Sequence, residues 1–196
     1  MLPQIEHLKN LLSLLPGIGS KSALRLAFFL IDMPEEKLNA FLEDIRKTNK
    51  EIIICSTCHN YSLHDPCNDC DSQFGDGGLL CVVESAFDIP AFKKFLPPDS
   101  KFHVLGGKLS PLNGITPDDL NIENLIKRLN TNGLKEVILA MGADVEGEAT
   151  ASYLMNLLIN KNIRTSRIGF GVSVGSSIGL SDERSIQKSL SNRIFY

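Results

Sequence analysis

"EVILAMGADVEGEATASYL", residues 136–154, sets the fold class. Its first six residues are an apolar run of strand length. A glycine and acids follow. From Glu148 to about Asn160 apolar residues recur at helical spacing. A strand passing through a short loop into a helix is one step of a β/α repeat, and the neighbouring sequence supplies more steps. "LLCVVES" (79–85) reads as a strand, and Asp88 and Pro90 open a short helix to about Phe95. "KFHVL" (101–105) is a second strand. A long loop, "GGKLSPLNGITPDD" (106–119), leads to a helix over about Ile122–Asn130 stopped by Gly133, and "TSRIGF" (165–170) can be a fourth strand. Strands alternating with helices predict a mostly parallel sheet with helices on its faces.

Upstream the pattern changes. Ile5, Leu8, Leu11, Leu12 and Leu15 predict a helix over residues 4–15. In "LPGIGSKSALRLAFFLI" (15–31), Pro16–Gly19 form a tight turn and Ser20 can cap a second helix running to about Leu30. A third helix starts near Pro34, with Leu38, Phe41, Leu42 and Ile45 on one face, and ends near residue 50.

Acids gather at the strand ends. Glu84 follows the first strand of the sheet; Asp144, Glu146 and Glu148 follow the third. In an open parallel sheet, chemistry collects beyond the carboxyl ends of the strands. Converging carboxylates there suit a hard cation such as Mg²⁺, which can assist phosphoryl transfer. Gly142 stands where one more acid would complete the set. The competing reading is that Glu146 and Glu148 sit at a helix N-terminus because the helix dipole favours acids there.

"CSTCHNYSLHDPCNDC" (55–70) places Cys55, Cys58, Cys67 and Cys70 as two CxxC pairs. Each pair can chelate from a tight knuckle, and the loop lets the pairs meet at a tetrahedral centre, which is the spacing of a structural zinc site. A redox dithiol is the weaker alternative. His59 and His64 are expected at the surface, Cys81 in the core, and His7 and His103 in structural roles.

The glycine turn before the second helix has two readings. Gly17 and Gly19 carry no Cβ, so the backbone can approach another surface. The helix N-terminus behind them can hold an anion, and Lys21 and Arg25 share one helix face. Together they would cradle phosphates without reading sequence. The bland reading is a helical hairpin whose glycines serve packing.

The chain has 196 residues, 43% of them hydrophobic, and a net charge of −3, which excludes a uniformly basic nucleic-acid binder. The charge is uneven, however. Lys9, Lys21 and Arg25 outnumber Glu6 in residues 1–30, and six basic residues outnumber Asp182 and Glu183 in residues 161–196. Basic ends around an acidic middle suit local contact with an anionic polymer. The longest apolar stretches, such as Leu26–Ile31, are too short to span a bilayer. No basic stretch precedes an apolar run at the N-terminus, so the expected location is the cytoplasm.

Taken in order, "LPGIGSKSALRLAF", "CSTC…CNDC", "CVVESAFDI", "LGGKLSPLNGITPDDL" and "EVILAMGADVEGEATASYL" resemble the bacterial RecR recombination mediator family. The resemblance implies an α/β protein with an N-terminal helical hairpin unit, a small zinc finger, a Toprim-type sheet with flanking helices and a C-terminal tail. The implied bounds are 1–53 for the helix-hairpin-helix DNA-binding unit, 54–75 for the zinc finger, 79–174 for the Toprim domain and 175–196 for an assembly tail. It implies a non-catalytic, nucleoid-associated mediator that works with RecO, and in some settings RecF, to help load the recombinase on single-stranded DNA. Homodimers pairing into ring-like tetramers are implied as well. Lys21 and Arg25, with Gly17 and Gly19, fall on the DNA-binding hairpin. Cys55, Cys58, Cys67 and Cys70 fall on the zinc ligands. Glu84, Asp144 and Glu146, with Glu148 beside them, fall on an acidic cluster for partner contact or weak Mg²⁺ binding. The sequence departs from the family in "FGVSVGSSIGLSD" (170–182), where Phe170 replaces a histidine and Ser173 a proline. Two rivals stand beside this reading: a catalytic, Mg²⁺-dependent Toprim enzyme of nuclease or primase type, and a purely protein-binding adaptor.

Overall fold

Pro16 and Gly17 make the first turn that organises the chain. In the computed structural model, which describes residues 1–159, 161 and 163–194, Ile18 N–H donates to Leu15 O at 3.1 Å while Gly17 holds φ +79°. Proline second and a left-handed glycine third is the pattern of a type II turn. Helix α1 (Pro3–Leu12) stops three residues short of the expected Leu15. Pro16 accounts for this, since a residue before proline is driven away from the helical region. Helix α2 (Ser20–Ile31) follows, and Gly19, not Ser20, is its N-cap. Ala23 and Ala27 are its two fully buried residues. Side chains this small let α1 and α2, which pack together, approach closely. Helix α3 (Glu35–Glu51) begins after Pro34, which stands at its N-cap. These helices make up one unit, Met1–Ile52; a second spans Ile53–Tyr196.

The second unit opens with a two-stranded antiparallel hairpin, β1 (Ile53–Ile54) and β2 (Tyr61–Ser62), and a short helix, α4 (Asn68–Asp71). A parallel sheet follows, built from β3 (Leu79–Val83), β4 (Lys101–Val104), β5 (Glu136–Ala140) and β6 (Arg164–Arg167), in the order β4-β3-β5-β6. Helices α5 (Ile89–Lys93), α6 (Ile122–Arg128), α7 (Val145–Ile159) and α8 (Glu183–Ser191) complete it. The fold class is the expected one: helical N-terminus, four-cysteine unit and parallel sheet with flanking helices.

Alternation along the strands sorts side chains into two cores. Leu80, Val82, Val137, Leu139 and Met141 pack with Leu125 of α6 and Ala151, Leu154 and Leu158 of α7. Cys81, Val83, Phe102, Val104 and Ala140 pack with Ile89 of α5. Each fully buried leucine contributes about 2 kcal/mol. Cys81 is core as expected, and burial pushes its thiol up to about 12.

The chain leaves β3 for β4 on one side and returns to β5 on the other. The carboxyl ends of β3 and β5 therefore flank the point where strand order reverses, the usual crevice of an open parallel sheet. Helix α7 begins at Val145, three residues before the expected start, because Asp144 caps it by accepting Gly147 N–H at 2.8 Å. Its expected end at Asn160 lies outside the described residues. The loop 106–119 has structure of its own: Ser110 bridges Ile115, and 3₁₀ turns fall at Pro111–Asn113 and Pro117–Asp119.

Candidate functional site

The four cysteines meet. Each offers a sulfur, and these atoms all lie within 4.8 Å of one another. Cys58 Sγ and Cys67 Sγ are 3.6 Å apart, close to the edge of about 3.8 Å set by a tetrahedron of 2.3 Å zinc–sulfur bonds. Cys67 N–H donates to Cys55 Sγ at 3.4 Å, as expected of a knuckle that presents a thiolate. His59 holds the turn after the first pair, with φ +56° and its N–H donating to Cys55 O. It is half-buried, not fully at the surface; His64 and His7 are exposed. The Cys58 thiol is drawn down to about 5, first by donation from Cys70, then by Asn60 N–H and the other thiols, against the opposing effect of burial. Cys67 is pushed up to about 11, chiefly by burial. Cys70 is pushed up too, by donating to Cys58 and by burial. Without a cation, ionisation of Cys58 works against that of Cys67 and Cys70. A divalent cation would let all four ionise, which is what a four-sulfur donor set suits.

The knuckle is sewn to the sheet. Val104 N–H of edge strand β4 donates to Cys58 O at 2.8 Å, and Asn124 Nδ2 of α6 donates to Ser56 O at 3.0 Å. This covers an edge that would otherwise expose unpaired groups.

At the reversal point Glu84 and Asp144 converge on one lysine, and each of the acids has an internal partner. Glu84 Oε1 accepts Gly142 N–H at 2.6 Å. Lys108, from the loop after β4, sits 2.7 Å from Asp144 Oδ2 and 3.8 Å from Glu84 Oε2. Its ammonium, then Gly147 N–H, hold the Asp144 carboxyl below its ordinary range, and the same contact raises Lys108. Ser110 Oγ donates to Glu146. Glu148 turns away from this group: Arg167 of β6 reaches it at 2.6 Å and Lys188 of α8 at 2.8 Å. These two cations, Arg167 first, draw Glu148 down to about 2. Two of the C-terminal basic residues are thus spent within the unit.

At Gly142 a side chain would meet the carboxylates of Asp144 and Glu84. A Cβ there would stand 2.9 Å from Asp144 Oδ2 and 3.3 Å from Glu84 Oε1. Gly147 is tighter still, since its Cβ would lie 2.4 Å from Gly142 O. Of the replacements near the tail, Phe170 has a local effect: its ring lies 4.9 Å from the Arg167 guanidinium. Ser173 takes part through its backbone carbonyl, which accepts Ser176 Oγ and which any residue would offer.

On the hairpin, Lys21 and Arg25 are exposed and form no ion pair among the described residues. They point away from the face carrying Ala23 and Ala27. Gly17 is required by its backbone angle. Gly19 is not: it is extended at φ −76°, and nothing lies within 4 Å of a Cβ placed on it. No side chain caps α2, so its first N–H groups keep their capacity to bind.

Sequence reasoning did not anticipate Lys108, Ser110, Arg167 and Lys188 as partners of the acids. It also gave His103 no partner. His103 is fully buried; its Nε2 lies 2.7 Å from Asn121 O and its Nδ1 3.3 Å from Arg128 Nη1. Burial drives its pKa down to about 3.

Two family models match the chain: RecR, helix-hairpin-helix, over residues 5–48, and Toprim domain, over residues 78–169. Curated relatives match almost end to end. "Recombination protein RecR" of Enterococcus faecalis is 43% identical over 91% of this chain and 90% of its own length. The chain belongs to the RecR family. The RecR proteins of Natranaerobius thermophilus and Methylocella silvestris agree, at 39% and 41% identity over 96% and 97% of this chain and 95% of each relative. Recombination, a helix-hairpin-helix, a Toprim domain and a four-cysteine cluster able to bind a metal ion therefore go together here. Among the described residues no helix is long and apolar enough to cross a membrane.

Proposed function

We propose that this protein is a non-catalytic DNA-binding mediator of recombinational repair, acting with RecO, and in some settings RecF, to help load the recombinase on single-stranded DNA. The observation that carries the non-catalytic reading is the state of the acids. Lys108 stands between Asp144 and Glu84, where a catalytic metal would be needed. Mg²⁺ binding there is at most weak, because the carboxylates already have a cation. The hairpin offers the opposite: two exposed cations beside an uncapped helix start and an unencumbered Gly19. Gly17, Gly19, Lys21 and Arg25 contact backbone phosphates with little sequence preference.

Cys55, Cys58, Cys67 and Cys70 hold one zinc ion. Four sulfurs leave no open position, so the metal supplies structural closure and no reaction step. A chain of net negative charge gains from assembly, because several weak basic patches on one DNA act together. A homodimer or ring-like homotetramer meets that need, with residues 175–196 contributing to assembly. The working location is the nucleoid within the cytoplasm.

Supercoiled plasmid titrated with zinc-loaded protein at low salt, with Mg²⁺ and then EDTA, tests the reading. Retardation without nicking supports it. Mg²⁺-dependent nicking that disappears in Glu84→Ala would replace it with the catalytic Toprim reading.

A further inference from the structure

Lys101 and Arg128 are cations in the wrong place for cations. They are 5% and 6% exposed, and neither has a carboxylate within ion-pair distance among the described residues. Lys101 donates to Ser72 O and lies 4.8 Å from the Phe74 ring centroid. Arg128 donates to Phe102 O at 2.7 Å and meets His103 Nδ1 at 3.3 Å. These partners are neutral. Burial first, and then repulsion from Arg128, lowers Lys101. Burying charges without a counter-charge is costly, and burying two of one sign together is worse.

The charge that balances them lies across the seam with the cysteine unit. Arg128 lies one helical turn past Asn124, which donates to Ser56 O beside Cys55, so both share the face of α6 turned to the knuckle. Ser72, which accepts from Lys101, follows Cys70 by two residues. Four thiolates around one divalent cation leave two negative charges over. Lys101 from β4 and Arg128 from α6 supply two positive ones. Neutral His103, anchored by Asn121 O, keeps Nδ1 as an acceptor and so orients Arg128.

We propose that Lys101 and Arg128 are the counter-ions of a Cys55–Cys58–Cys67–Cys70 metal centre, so that side chains of the parallel sheet region set how tightly the metal is held. The inference rests on the zinc reading above. It makes the cysteine unit and the sheet one electrostatic body: losing the metal strands two buried cations.

Zinc-loaded full-length parent, Lys101→Met, Arg128→Met and Lys101→Arg are compared in two readouts. One is the rate of zinc transfer to the chromophoric chelator 4-(2-pyridylazo)resorcinol. The other is the thermal midpoint before and after zinc is stripped. Both methionine variants should release zinc about ten- to a hundredfold faster, and Lys101→Arg should stay near the parent. The methionine variants should lose thermal stability with zinc bound and lose none, or gain, once it is stripped. A role in packing alone would lower both midpoints equally; that outcome overturns the counter-ion role and leaves the zinc reading intact. A parent that carries no zinc and takes none up overturns both. If Arg128→Met yields no folded protein, Lys101→Met decides.

Discussion

Lys108 places its ammonium 2.7 Å from the Asp144 carboxylate across 36 residues of sequence, with Glu84 Oε2 at 3.8 Å on its other side. A single side chain from the loop after β4 thus reaches the acids that follow both β3 and β5. A cation on a tether is always present at its site, whereas a free ion must compete with it.

Removing that tether should expose the site. Lys108→Ala is expected to bind Mn²⁺ at least about tenfold more tightly than the parent, the equivalent of about 1.4 kcal/mol. Loss of the free Mn²⁺ electron paramagnetic resonance signal measures this directly. The folding cost should stay under about 1 kcal/mol, since the pair is largely solvated. Equal Mn²⁺ affinity in the two proteins would mean that Lys108 does not guard the acids.

The two glycines of the loop should differ in what they tolerate. At Gly142 a new methyl meets carboxylate oxygens of Asp144 and Glu84, which can swing aside. At Gly147 it meets the backbone of Gly142, 2.4 Å from its carbonyl oxygen. Gly147→Ala should therefore cost about 2–3 kcal/mol and Gly142→Ala about 1 kcal/mol. Urea midpoints give the order, and the reverse order would contradict the packing described.

Much of this was legible in the sequence. The β/α alternation gave the sheet, paired CxxC spacing gave the sulfur cluster, and Pro16-Gly17 gave the hairpin turn, because each is a local pattern with a local cause. What was not legible is pairing across distance. Nothing near Lys108 announces Asp144, and nothing near Lys188 announces Glu148; strand order decides both. Spacing along the chain groups Glu148 with Asp144 and Glu146. One helical turn past Asp144, it faces Arg167 and Lys188 instead. Helix α7 starts early for a related reason, since Asp144 could be read as a ligand or a cap and the structure uses it as a cap. His103 looked unremarkable because Asn121 and Arg128 reach it from the far side of a long loop.

The hairpin makes a prediction about salt. Each phosphate neutralised on DNA steepens the fall of affinity with salt by a fixed amount. Lys21→Ala combined with Arg25→Ala should weaken DNA binding and make the slope of log affinity against log salt shallower by about 1.5. Zinc content should not change. Fluorescence anisotropy with a labelled oligonucleotide at several salt concentrations reads both effects. An unchanged slope would move the DNA contact elsewhere on the protein.

Glu148 ties α8 back onto α7 and β6, and that tie should depend on pH. Arg167 and Lys188 hold its folded pKa near 2, below the ordinary 4.5. A carboxyl depressed in the folded state contributes stability above its unfolded pKa and loses it as pH falls towards the folded one. Its contribution should be fully present above about pH 4.5, fade below that, and vanish near pH 2. Glu148→Gln should accordingly lower stability by about 1 kcal/mol at pH 7, with the gap between variant and parent closing over that window and narrowing in high salt. Beside the ion pairs, α8 is held through Ser189 Oγ, which accepts Val172 N–H, and Asn192 Nδ2, which donates to Phe170 O. Losing Glu148 should thus loosen the helix without freeing it, seen as faster amide exchange in residues 183–191 while β3 and β5 keep their protection. A stability gap that stays flat from pH 7 to pH 2.5 would show that the Arg167–Glu148–Lys188 contact does not hold the helix in solution.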